Sequence, residues 1–326
     1  MFKWRKLGVV FDPTQTENRT WLKQFAQAPC VLVQKTSVRV FFSCRPSPDE
    51  NQQYVSYAAY VDLSRSNLFE ILRVSESPVL QLGEPGEFDE FGTYPISVIQ
   101  RAGECVAYYG GWTRCESVPF NVSIGMAKSF DGGNTFKKVG RGPVLSFSED
   151  EPFILSSPKI RWFNERWYLY YIAGRKWILA NGKPEPVYRI RMATSDNGVD
   201  WIKLNEDLIE AKLGENEAQA SPDVFHYENK YHMFFCYREG TDFRSNKSRS
   251  YRIGYAHSED LIKWTRDDCR AGIDVSTKGW DSEMVAYPHV FEVDGHVYMF
   301  YLGNQVGKHG FGVAQLDQDG YGDHIL

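Results

Sequence analysis

Five prolines, Pro29, Pro95, Pro158, Pro222 and Pro288, cut the 326-residue chain at spacings of 66, 63, 64 and 66 residues. A period this regular marks one supersecondary unit repeated along the chain, and it restricts the fold more than any other feature of the sequence. Each proline opens an apolar run that alternates, where a missing N–H costs no ladder bond. A short polar turn and a run crowded with aromatic residues follow, at 40–44, 106–110, 167–171, 231–235 and 297–301. Asn164-Glu165 and Asp294-Gly295 are hairpin turn signals between such runs.

A second half-repeat follows in most units: a strand, a tight turn around Asp131, Asp196 or Asp260, and an outer strand near Phe136, Trp201 or Trp264. Two hairpins per unit give four antiparallel strands, one propeller blade. The sequence therefore predicts an all-β fold, a five-bladed β-propeller with four-stranded antiparallel blades, as a single domain over residues 1–326. The fifth unit ends at Gly312 to Leu316 without an outermost strand, and Leu7 to Phe11 is the segment expected to supply it and close the ring. Little helix is expected beyond a turn around Trp21 to Ala26.

Composition agrees. Aromatic residues make up 15% of the chain, which suits strands. A net charge of -5 argues against a nucleic-acid partner, which needs a basic face. No apolar stretch approaches the roughly 18 residues of a membrane helix, and the run after the basic N-terminus is too short for a signal-peptide core. Six cysteines lack metal-type or CxxC spacing, so a reducing, cytoplasmic setting is expected. His226, His232, His289 and His296 do not show metal-ligand spacing, and no Gly-rich phosphate loop or nucleophile elbow is present. No cofactor and no metal are expected.

The recurring proline, strand, turn and aromatic strand, followed by the Ser-x-Asp turn and an outer aromatic, resembles the five-bladed propellers of arabinanases, xylosidases, invertases and related glycoside hydrolases. The resemblance spans essentially the whole chain. It implies a carbohydrate-active protein with carboxylates near the starts of innermost strands, often in an Asp-Pro dipeptide. This chain departs from that pattern: Ala28, Tyr94, Ser157, Ser221 and Tyr287 precede the five prolines, and none is acidic.

Strand direction sets which residues meet. If innermost strands start at one face, the loops before the prolines and the ends of the second strands crowd one funnel mouth. The incoming loops are acidic, and Glu217, Glu283 and Asp89 are the candidate acid or base groups. The alternative is that they are solvated loop charges. The outgoing ends carry Arg45, Arg175 and Arg238, suited to a carboxylate or phosphate or to a salt-bridge ring with the acidic loops. Tyr94, Tyr287, Trp112 and Trp177 would form a stacking floor, or pack the core. His289 would hydrogen-bond a sugar hydroxyl from an innermost strand, or be a satisfied structural histidine. The expected partner is a small-molecule or oligosaccharide substrate, anionic or phosphorylated, processed by hydrolysis or phosphorolysis. A carbohydrate-binding propeller that has lost its catalytic carboxylates is the alternative.

Overall fold

The computed structural model describes residues 1–16, 19–227 and 229–317. It contains five sheets of four antiparallel strands, the propeller that the proline period predicts. The first blade runs Gln24–Val33, Ser37–Arg45, Tyr57–Ser64 and Ile71–Val74 from the axis outwards. The second is Gly92–Arg101, Glu104–Arg114, Phe120–Ser129 and Lys137–Lys138; the third is Leu155–Phe163, Arg166–Ala180, Lys183–Ser195 and Ile202–Lys203. The fourth is Ala218–Tyr227, Lys230–Arg238, Arg252–Ser258 and Thr265–Arg266. In the fifth, Ala286–Val293, His296–Leu302 and Phe311–Leu316 are joined by Trp4–Phe11 as the outermost strand.

That closing strand is longer than the Leu7–Phe11 segment expected, pairing from Trp4 opposite Leu316 to Phe11 opposite Phe311. Phe2 and Trp4 are buried and pack edge-on against Phe234 of the fourth blade. The turn expected over Trp21 to Ala26 is confined to Thr20 and Trp21, because Gln24 already belongs to the innermost strand. Among the described residues, no helix is long and apolar enough to cross a membrane.

Local chemistry explains the hairpins. Asn164 and Glu165 both take positive φ (47° and 58°), as do Asp294 and Gly295 (51° and 76°); that geometry matches the twist of the flanking strands. In the outer turns, Ser129, Ser195 and Ser258 hydroxyls accept backbone N–H groups of Gly133, Gly198 and Leu261. The side chain two residues on caps the same turn: Asp131, Asn197 and Asp260. In the third blade the cap is thus Asn197, not the Asp196 that the sequence repeat suggests.

Every innermost strand shifts register around its proline. Ala28, Ser157, Ser221 and Tyr287, each directly before a proline, sit at φ of 52°, 49°, 48° and 51°. That region is disfavoured for a pre-proline residue, and a non-glycine residue held there costs on the order of 1–3 kcal/mol. A bulge of this kind re-aims a side chain. The five prolines themselves converge on the axis around a hollow of only about 20 Å³, about the space of one water. They divide the channel into an upper and a lower mouth.

Candidate functional site

The upper mouth is a cavity of about 500 Å³, within the range of small-ligand sites. The bulges turn Tyr94, Ser157 and Tyr287 into its floor, and Arg45 and Trp112 reach it from second-strand ends. Arg114, Tyr54, Tyr188 and Arg244 complete the polar wall. No aspartate or glutamate is among the lining residues.

The arginines differ in how they are held. Arg45 donates from Nε to the Ser56 hydroxyl at 3.2 Å and lies against the rings of Phe25, Tyr54 and Tyr94. Among the described residues no carboxylate pairs with it. Arg114 donates to the Tyr54 carbonyl at 3.0 Å and stands 3.6 Å from Asp49. Arg244 is paired with Glu185 and lies over the Phe243 ring at 4.2 Å. Beneath them lie the phenols of Tyr94 and Tyr287. Burial pushes both above the ordinary phenol range, outweighing the pull of Arg45 on Tyr94, so both stay protonated donors. An aromatic band crosses the second and third blades, Trp112 to Phe120 at 6.4 Å and Phe120 to Trp177 at 5.7 Å.

Of the expected site residues, the structure brings Arg45, Tyr94, Trp112 and Tyr287 together in this cavity and places the others elsewhere. Asp89 and Glu217 belong to a brace repeated around the ring. In it, a buried carboxylate of the loop before the innermost strand is tied to a cation on the outermost strand of its own blade. The pairs are Asp89 with Lys138, Glu151 with Lys203, Glu217 with Arg266 and Asp281 with Lys6, each at 2.6 Å. A tyrosine of the second strand donates to three of them: Tyr109, Tyr171 and Tyr301. In the fourth blade that position is Phe235, and Glu217 instead accepts from Gln219 and from the Lys212 and Leu213 backbone N–H groups. The loops fold back along the blades, so their carboxylates point away from the axis. In the first blade, with Leu22 and Phe42 buried, no such pair is found among the described residues.

Glu283 is exposed on the rim, in an adjoining hollow with Lys247 and Arg244. Arg175 is turned outward by a register shift between Gly174 and Lys176 and lies 3.8 Å from Asp207. Arg238 is 1% exposed, behind Tyr188, and is held by hydroxyls and carbonyls. His289 is buried below the proline constriction: Nε2 accepts from the Val31 N–H at 2.9 Å, and Nδ1 lies 2.9 Å from Lys159 Nζ and 3.2 Å from Asp223. It is a satisfied core histidine, held to about pKa 4 by burial and by Lys159. Among the described residues, no three His, Cys, Asp or Glu side chains are grouped as a metal ion would require.

No family model matches the chain. It is 32% identical over 315 residues to "Uncharacterized protein MT1551" and "Uncharacterized protein Rv1502", both of Mycobacterium tuberculosis strains, covering 96% of this chain and 99% of each relative. Solved structures of similar fold are propeller glycosidases. One described as "Glycoside hydrolase" superposes with a TM-score of 0.76 at 18% identity, covering 100% of this chain and 94% of that one. A putative glycosidase from Bacteroides thetaiotaomicron gives 0.71 at 15%, covering 97% of each. A putative glycoside hydrolase from Bacteroides ovatus gives 0.69 at 17%, covering 97% of this chain and 96% of that one.

Proposed function

We propose a function on the premise that this chain belongs to one family with the two Mycobacterium tuberculosis proteins: its upper funnel binds an anionic carbohydrate. The observation that carries this reading is a cavity walled by three arginines and several aromatic rings, with no carboxylate among its lining residues. Aromatic faces suit the apolar faces of a sugar ring, and guanidinium forks suit a carboxylate or phosphate. The glycosidase-like propeller of the structural neighbours supports a sugar as the class of ligand.

Glycosidic hydrolysis ordinarily uses two carboxylates about 5–9.5 Å apart across the scissile bond. Asp49 and Glu185, on the rim, are each already paired with an arginine of the wall. The non-hydrolytic alternative raised by the missing Asp-Pro dipeptides is therefore favoured. A hydrolytic reading retains one acidic group, Glu283, because its hollow shares Arg244 with the funnel.

Calorimetric titration with D-glucuronate and D-glucose tests the proposal. Glucuronate should bind at least about tenfold more tightly, since a hydrogen-bonded charge contributes roughly 1.5–3 kcal/mol, and Arg45→Gln should erase the preference. Equal binding of the two sugars, or a preference unaffected by Arg45→Gln, overturns it. Turnover of 4-nitrophenyl glycosides that is lost in Glu283→Gln would restore hydrolysis.

A further inference from the structure

The wall behind Tyr188 contains a fully buried cation, Arg238, with no carboxylate partner among the described residues. Burying a guanidinium without a counter-charge costs several kcal/mol unless hydrogen bonds and nearby negative charge offset it. Arg238 donates from Nε to the Tyr251 hydroxyl at 3.1 Å and from Nη2 to the Tyr188 hydroxyl at 3.3 Å, and lies 3.6 Å from the centre of the Phe243 ring. The two phenol oxygens are 2.9 Å apart.

Counting protons fixes the direction of this network. Tyr251 is buried, and the side chains that meet its hydroxyl are Arg238, which only donates, and Tyr188. The Tyr251 proton therefore goes to Tyr188. The Tyr188 oxygen then accepts from both Tyr251 and Arg238, and among the described residues no acceptor remains for its own proton. Tyr188 lines the upper cavity, so that proton is available to a ligand there. An oxygen that accepts from a cation and a phenol is a strengthened donor. On another part of the same wall, Arg45 also carries a positive charge that no carboxylate balances, whereas Arg114 and Arg244 each have one. Two uncompensated cations thus bracket the cavity, one by direct contact and one through Tyr188.

We infer that the cavity is built for a doubly charged group, a phosphate dianion seated between Arg45 and the Tyr188 hydroxyl, rather than for a single carboxylate. This deepens the anionic-carbohydrate reading and rests on it. Tyr188 is the specificity-determining donor, and Arg238 and Tyr251 are positioning residues acting through it.

The test is titration of the full chain with D-glucose 6-phosphate, inorganic phosphate and D-glucuronate at pH 7.5 and pH 5. Glucose 6-phosphate should bind at least about tenfold more tightly than glucuronate at pH 7.5, one further charged hydrogen bond being worth roughly that factor. Its affinity should fall about tenfold at pH 5, because a phosphate monoester loses its second charge near pH 6, while glucuronate is unchanged. Beside the wall stand the carboxylates of Asp49 and Glu185, paired with Arg114 and Arg244, and Glu283 in the adjoining hollow. The wall itself presents the three arginines, the phenols of Tyr54, Tyr94, Tyr188 and Tyr287, the Cys115 thiol, raised by burial, and no histidine. Tyr188→Phe keeps the ring, and a cooperative melting curve, lowered by the loss of an acceptor for Tyr251 and Arg238, would confirm folding; it should cost glucose 6-phosphate about tenfold in affinity. Inorganic phosphate binding as tightly as the ester would support the dianion site and identify its source as free phosphate. Glucuronate binding as well as the phosphates, or Tyr188→Phe without effect, overturns the inference alone. Failure of all three anions to bind overturns the anionic-sugar reading with it.

Discussion

The two mouths of the axial channel use similar residues to opposite ends. Below the prolines, Lys159, Arg161 and His289 surround Asp223, which is fully buried and meets Lys159 at 3.2 Å and Arg161 at 2.5 Å. The surrounding hollow is mostly aliphatic and aromatic, with Val31, Val98, Val224 and Phe291 in its wall. Burial would push the Asp223 carboxyl up, but Lys159, His289 and Arg161 outweigh it and hold it well below the carboxylate range. Above the prolines, Arg45 and Arg238 face the cavity or its wall with no carboxylate to match. Charge satisfied within the protein belongs to scaffold, and charge left unsatisfied beside a cavity is what a ligand completes.

The comparison breaks most visibly at Asp223. Asp223→Asn leaves the buried Lys159 and the half-buried Arg161 without an anion and should cost about 3–5 kcal/mol in a denaturant melt; a loss under about 1 kcal/mol would show that the lower cluster is not the scaffold described. Glu217→Gln takes from the buried Arg266 one of its two carboxylates, Asp268 remaining at 2.9 Å, and should cost about 1–3 kcal/mol while leaving anion binding at the funnel unchanged. If binding fell instead, the brace would be part of the site.

Acidity provides a finer probe. His289 is neutral when folded to about pH 4, whereas the unfolded chain protonates it near pH 6.5. Stability should therefore fall as pH drops from about 6.5 towards 4. Asp223 adds a further loss below about pH 4, where its unfolded carboxyl takes up a proton and the folded one does not. His289→Asn should flatten the upper part of that slope by about one proton, readable from melts at several pH values. The smallest effect belongs to the upper mouth: Arg45→Gln without ligand should change stability by less than about 1 kcal/mol. A large loss would mean that Arg45 is structural.

The proline period made the fold legible, because each blade repeats one strand order and the bulge falls at one place in it. Tyr94, Tyr287, Arg45 and Trp112 were legible for the same reason, lying where strand ends meet the axis. Arg244, in the long loop between Arg238 and Arg252, was not, since it occupies no repeated position, and Tyr188 was not, since its repeat with Tyr251 lies at third strands rather than at the strand ends nearest the axis. Arg114 was hidden by a second strand that runs past Trp112. The loop carboxylates misled because an acidic residue before a proline looks the same whether its loop turns to the axis or folds back along the blade. The distinguishing signal was a second repetition: Lys138, Lys203, Arg266 and Lys6 on outermost strands, with Tyr109, Tyr171 and Tyr301 facing the carboxylates.

The partnership of Trp4–Phe11 with Phe311–Leu316 has a consequence for biosynthesis. The earlier strand must wait for its neighbour in the sheet until segments some three hundred positions later in the sequence emerge from the ribosome. Until then Val10 and Phe11 lack the cover that the closed ring gives them, and Lys6 has no Asp281 to meet. Contacts so remote in sequence are slow to find one another, so the interval between synthesis and closure is when this chain is most open to chaperones and to self-association.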